Sequence, residues 1–279
     1  MPAAAGHDSG CGKRAPDAAA RTLSRGRVIL SVTVLGCRVD DVDADAATDA
    51  ILRYAREGSG AQVVTLGTEM VVYAQRDAHY RGVINACALS LCDTVGLLTV
   101  ARRRGAKLKE RVTGVELIDH LCARASREGT RIFLFGGAPG VADRSAQELE
   151  RRYPGLQIAG TQNGYFSPED SRRIAQEIRA SGAQLLLAGM GFPKQEYWLA
   201  EHLRETGCGA GIGVGGSFDV LSGNVPRAPE RWRRLGLEWL YRLLKEPQRW
   251  RRQLALPYFV LLVARENLRL QSGKGTTQL

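Results

Sequence analysis

The sequence predicts an α/β fold in which helices cover a mostly parallel sheet, followed by a helical appendage toward the C-terminal end. Three observations carry this. Short apolar runs rich in Val, Ile and Leu alternate with helical patterns. Gly-rich loops join runs to helices, as in Gly136-Gly137-Ala138-Pro139-Gly140, Gly189-Met190-Gly191 and Gly215-Gly216. From about Pro226 the composition shifts to Arg, Trp and Leu. A repeated strand–loop–helix unit closes as a parallel, Rossmann-like sheet, and ligands in such sheets bind at the carboxyl ends of the strands.

Taken in order, residues 1–25 are rich in Ala, Gly, Ser and Arg with no apolar h-region, which predicts a disordered tail rather than a signal peptide. The core is expected over 26–225. It opens with a β-branched strand at 27–35, then a helix at about 43–57 capped by Asp41 or Asp43. A buried strand follows at 62–66, helical patterns at 68–86, an apolar segment ending in Leu91-Cys92-Asp93, and a helix at 115–128. Strands at 131–135, 156–160, 184–188 and 210–214 then alternate with helices at 141–152, 170–181 and 195–206. Residues 226–279 form the appendage, with helices expected to break near Pro247 and Pro257.

The chain carries a formal charge of +10, and residues 227–252 hold nine Arg or Lys against three Glu. Such an excess points to anionic partners. Basic side chains mixed with Trp, Tyr and Leu, next to the run ALPYFVLLV, suit an anionic membrane surface rather than nucleic acid. No apolar run is long enough to span a bilayer, so the association is expected to be peripheral, on the cytoplasmic face. Exposed apolar faces on the appendage would suit a homo-oligomer. The six cysteines form no CxxC pair or zinc-ligand cluster; they read as reduced, mostly buried thiols, with no metal site.

Several strand-end residues admit two readings each. Gly136 and Gly137 let a backbone approach a phosphate at a helix N-terminus, or simply make a tight turn. Lys194 and Gln195 open a helix, where they could meet a hydroxyl-rich anion or only solvent. Asp219 could accept ribose hydroxyls or cap a turn. Asp93 could serve as a base or, again, as a turn cap. A dinucleotide-dependent oxidoreductase would use the same sheet, but the sequence offers no obvious hydride-transfer site. A non-catalytic basic binding protein would leave the strand-end motifs without a purpose.

Taken together, the motifs resemble those of the WecG/TagA/CpsF family, glycosyltransferase family 26. The likeness runs through VVTLGTEMVVYA (63–74), the Asp93 segment, RVTGVELID (111–119), FLFGGAPGVA (133–142), LLAGMGFPKQE (186–196), GVGGSFDVLSG (213–223) and the basic stretch 227–252. It implies a fold of the GT-E type and an inverting, metal-independent enzyme with no cofactor. Such an enzyme would move a sugar from a UDP-sugar donor to an acceptor on undecaprenyl diphosphate. It also implies roles: Asp93 as base, Thr65 beside the donor sugar, and Gln195 orienting substrates. Gly136, Gly137, Asp219 and the position of Gly67 would hold the nucleotide-sugar. Arg242, Arg249 and Arg252 would grip a diphosphate, for which the planar guanidinium fork is suited. Two positions depart from the family pattern: Gly67 stands where Asn is usual, and Thr94 where Gly is usual.

Overall fold

The structure is a computed structural model that describes residues 21–22, 28–229, 231–232, 238–245, 250 and 254–274. Its centre is a six-stranded sheet made of β5 (Ala61–Leu66), β6 (Leu89–Cys92), β7 (Arg131–Gly136), β8 (Gln157–Gln162), β9 (Leu185–Gly189) and β10 (Ala210–Gly213). The spatial order is β6-β5-β10-β9-β7-β8 and every pairing is parallel. The expected α/β architecture is therefore the observed one.

Side-chain alternation explains how the sheet is buried. Val63, Ile132, Leu134, Leu185 and Leu187 face one layer, built on helices α1 (Ala44–Glu57), α5 (Gly114–Glu128) and α6 (Val141–Arg152). Their neighbours Val64, Phe133, Phe135, Leu186 and Ala188 face the opposite layer. That layer holds α2 (Thr68–Tyr73), α3 (Ala78–Ala86), α4 (Val95–Arg103), α7 (Ser171–Ser181) and α8 (Lys194–His202). Strands covered on both faces read as continuous apolar runs, which is why β9 (LLLAG) was legible.

The N-terminal part of the core departs from expectation. Of the strand expected at 27–35, the described residues 28–35 do not form one strand of the main sheet. β3 (Ser31–Val34) turns at Leu35 and Gly36, both with positive φ, and pairs antiparallel with β4 (Cys37–Asp40). This hairpin shields the β6 edge: Ser90 N–H donates to Asp40 Oδ2 at 2.9 Å, and Ser90 Oγ donates to the Arg38 carbonyl at 2.6 Å. Before it, β1 (Arg21–Thr22) pairs with β2 (Val28–Ile29); the remainder of the 1–25 tail lies outside the described residues. Asp43, not Asp41, caps α1, accepting from Ala46 N–H at 2.8 Å.

Toward the C-terminal end, a short helix spans Glu238–Lys245 and a longer one Ala255–Lys274. No break occurs at Pro257. It sits in the first turn, where a missing N–H removes no intrahelical bond. Pro247 lies outside the described residues. Phe259, 1% exposed, and Val263 join the core cluster that contains Met70, Val71 and Leu97. Arg104 adds a link from α4, pairing with Glu266 and donating to the Thr33 carbonyl at 2.6 Å. Among the described residues no helix is long and apolar enough to cross a membrane.

Candidate active site

The carboxyl ends of β5, β6, β9 and β10 meet at one rim, and a cleft of about 280 Å³ opens there. Four of the residues singled out from the sequence line it: Thr65, Gly67, Asp93 and Gln195. Thr65 is the next-to-last residue of β5. It is 7% exposed, and its hydroxyl donates to the Gly213 carbonyl on β10 at 2.8 Å. Asp93 follows β6, half-buried, with its N–H on the Leu66 carbonyl at 3.0 Å. The ladder thus continues one residue beyond the strand and delivers the carboxylate to the cleft wall.

Gln195 lies in the first turn of α8. Its Oε1 accepts from Gly191 N–H at 3.2 Å and Gly215 N–H at 3.0 Å, and its Nε2 donates to Glu196 Oε1 at 2.7 Å. A Cβ on Gly114 at the start of α5 would lie 2.8 Å from Ser217 Oγ and 3.1 Å from the Val214 carbonyl, so glycine lets the opening of α5 come close to the turn after β10.

The two departures from the family pattern are neighbours. A Cβ on Gly67 would lie 3.4 Å from Thr94 Cγ2. Gly67 is the N-cap of α2 and offers no side-chain acceptor. Thr94 Oγ1 instead accepts from Thr68 N–H at 3.2 Å, so a hydroxyl from the β6 end caps α2.

Gly136, Gly137 and Asp219 do not line this cleft. Gly136 has φ +145, and a Cβ there would strike the Gly189 backbone at 2.4 Å; Gly137 N–H is taken by the Gly189 carbonyl at 3.0 Å. These glycines allow β7 and β9 to end in close contact. Asp219 is half-buried on a short helix, α9 (Ser217–Leu221). Lys194 is not simply solvated: its Nζ donates to the Gly164 carbonyl at 2.9 Å and stands 3.9 Å from the Phe166 ring centroid, and burial lowers its pKa. The side chain of Arg242, and Arg249 and Arg252 altogether, lie outside the described residues.

The cleft also includes residues that strand-end reasoning passed over: Arg111, Thr113, Glu69, Trp239 and Leu256. Among the described lining residues, Arg111 is the cationic side chain. Thr113 was findable: Thr113 and Glu116 are spaced as a capping box, and Thr113 Oγ1 accepts from Glu116 N–H at 3.3 Å. Trp239 and Leu256 come from the appendage, whose placement no local pattern encodes. Among the described residues no group of three or more His, Cys, Asp or Glu could hold a metal ion.

An open parallel sheet that gathers a carboxylate, a threonine and an amide over one cleft is a framework for group transfer on a polar substrate, and comparison with known proteins gives the class as glycosyltransferase. The chain belongs to the glycosyl transferase WecG/TagA/CpsF family, whose model matches residues 32–273. It is 35% identical over 210 residues to N-acetylglucosaminyldiphosphoundecaprenol N-acetyl-beta-D-mannosaminyltransferase of Bacillus spizizenii (strain ATCC 23059 / NRRL B-14472 / W23), covering 75% of this chain and 81% of the relative.

Proposed function

We propose that this glycosyltransferase moves N-acetylmannosamine, its uronic acid or a related hexose from a UDP-sugar to an acceptor sugar on undecaprenyl diphosphate. It does so during synthesis of a cell-surface polysaccharide or teichoic acid. The observation that carries the reading is the convergence of Asp93, Thr65 and Gln195 on one cleft that also contains Arg111. The relative's name, which specifies a mannosaminyl transfer to a diphosphoundecaprenol-linked sugar, supports it.

In this reading the Asp93 carboxylate takes the proton of the acceptor hydroxyl. The freed oxygen attacks the anomeric carbon from the face opposite UDP. The bond from that carbon to the UDP oxygen breaks, UDP leaves with the electron pair, and the anomeric centre inverts. Thr65 lies beside the donor sugar, and the Gly67 position, on the same cleft wall, helps to hold the nucleotide-sugar. Arg242, Arg249 and Arg252 neutralise the diphosphate in place of a metal, without a cofactor. The basic appendage lies on the anionic cytoplasmic surface of the membrane, where the lipid-linked acceptor resides.

The test is a screen of UDP-sugars against a synthetic prenyl-diphosphate N-acetylsugar, scored by UDP release and product mass, with and without a chelator. A sugar added to the prenyl acceptor, undiminished by chelation, is the expected result. UDP release with no glycosylated lipid, or transfer abolished by the chelator, contradicts the acceptor and the metal-independent chemistry respectively.

A further inference from the structure

Beneath the cleft a buried polar chain runs from Gln195 to Glu196 and Tyr80, and the reaction outlined above does not use the last two. Glu196 is 1% exposed and Gln195 is 3% exposed. Glu196 Oε2 accepts from the Tyr80 hydroxyl of α3 at 3.3 Å, and its Oε1 accepts from Gln195 Nε2 at 2.7 Å. The main-chain carbonyl of Glu196 is fixed as well, accepting from Gln62 Nε2 at 3.0 Å. Gln195 is thereby oriented in one sense only. Two backbone N–H donors, from Gly191 and Gly215, demand an oxygen, and the carboxyl side demands a donor. Space for the pair comes from the sheet: a Cβ on Gly213 would fall 2.7 Å from Gln195 Nε2 and 2.9 Å from Glu196 Oε1. The same Gly213 offers its carbonyl to Thr65.

We propose that Glu196 is a positioning residue. Anchored by Tyr80, it holds the Gln195 amide so that Gln195 ties the loop after β9 to the turn after β10, fixing the cleft floor against which Thr65 is set. Gln195 then acts through the two loops it joins. Burying a carboxyl group is costly unless its partners are in place, and a second carboxamide at this position can keep them. In Glu196→Gln, the side-chain oxygen still accepts from Gln195, and its amide donates to the Tyr80 oxygen. Glu196→Ala leaves Gln195 Nε2 unheld.

The consequence for turnover rests on the transferase reading; the consequence for the loops does not. Amide hydrogen exchange of the full chain, read at Gly191 and Gly215, is expected to quicken by about tenfold or more in E196A and in Gln195→Leu, and to stay near wild type in E196Q. In the transfer assay, kcat is expected to fall on the order of tenfold or more in E196A with little change in donor KM, and to be restored in E196Q. Protected glycine amides in both E196A and Q195L would overturn the proposal, whether or not the chain proves to be a transferase. Should E196A fail to fold, E196Q and Q195L decide it: loosened loops in E196Q, or tight loops in Q195L, contradict the assigned roles. Quickened loops with an unchanged kcat would remove the catalytic part of the role. Quickened loops in a chain that releases no UDP with any donor would refute the transferase reading alone.

Discussion

Gly67 and Thr94 show how two substitutions can be read as one. Because the Thr94 hydroxyl caps α2 and its methyl sits against Gly67, each residue fits the other. Thr94→Gly alone should cost about 1 kcal/mol, as loss of one hydrogen bond to a helix-terminal N–H does. Gly67→Asn alone should crowd Thr94. The double variant, which restores the usual family pair, should be more stable than the two single effects predict, with a coupling of about 0.5–3 kcal/mol. Urea denaturation of the four proteins measures it, and strict additivity would refute the coupling. Glu196 supplies a second prediction at this scale. Burial raises its pKa to about 7, from 4.5. Its stabilising contribution is therefore complete below about pH 4.5 and is lost as pH rises through about 7, a decline of up to roughly 3 kcal/mol. E196Q, which cannot ionise, should lose that part of the pH dependence. Parallel stability profiles for wild type and E196Q between pH 5 and 8 would contradict it.

Among the elements, the C-terminal helix carries the clearest consequence. Its composition marks 226–279 as an appendage, yet Phe259 and Val263 are buried with residues of α2 and α4. Phe259→Ala should cost about 3–5 kcal/mol, seen as a lower thermal midpoint. Deleting 226–279 should expose that apolar face and also remove Trp239 and Leu256 from the cleft, giving an inactive, association-prone core. A monodisperse, active truncation would contradict both roles. The same region marks the limit of what could be read in advance. Runs such as LLLAG and RIFLF were legible because burial on both faces leaves no polar residue to obscure them. Segment 27–40 was not: whether a β-branched run joins the main sheet or folds back as a hairpin depends on Leu35 and Gly36 and on contacts with Ser90, far along the chain. Likewise 68–86 divides into α2 and α3, with Asp77 capping the second by accepting from Tyr80 N–H at 2.9 Å. For the site, Asp93 and Gln195 stood out as a strand end and a helix start, each with a bland alternative, whereas Thr65 and the roles of all three came from the family resemblance. Arg111 and Trp239 lie between elements and on the appendage, where periodicity is silent.

At the scale of the whole molecule, net charge and site location suggest how the enzyme meets its substrate. The charge of +10 predicts binding to vesicles containing anionic phospholipid, weakening between 50 and 500 mM salt as screening shortens to about 4 Å. Equal binding to zwitterionic vesicles would contradict an electrostatic association. All the proposed chemistry meets at one carboxylate on the end of β6. Replacing Asp93 with Asn keeps its shape and removes the proton acceptor. Turnover of the UDP-sugar with the prenyl-diphosphate acceptor should then fall by about 10²–10⁴-fold while the melting curve is unchanged. Turnover within about threefold of wild type, or about 0.7 kcal/mol in barrier, would show that the proton goes elsewhere.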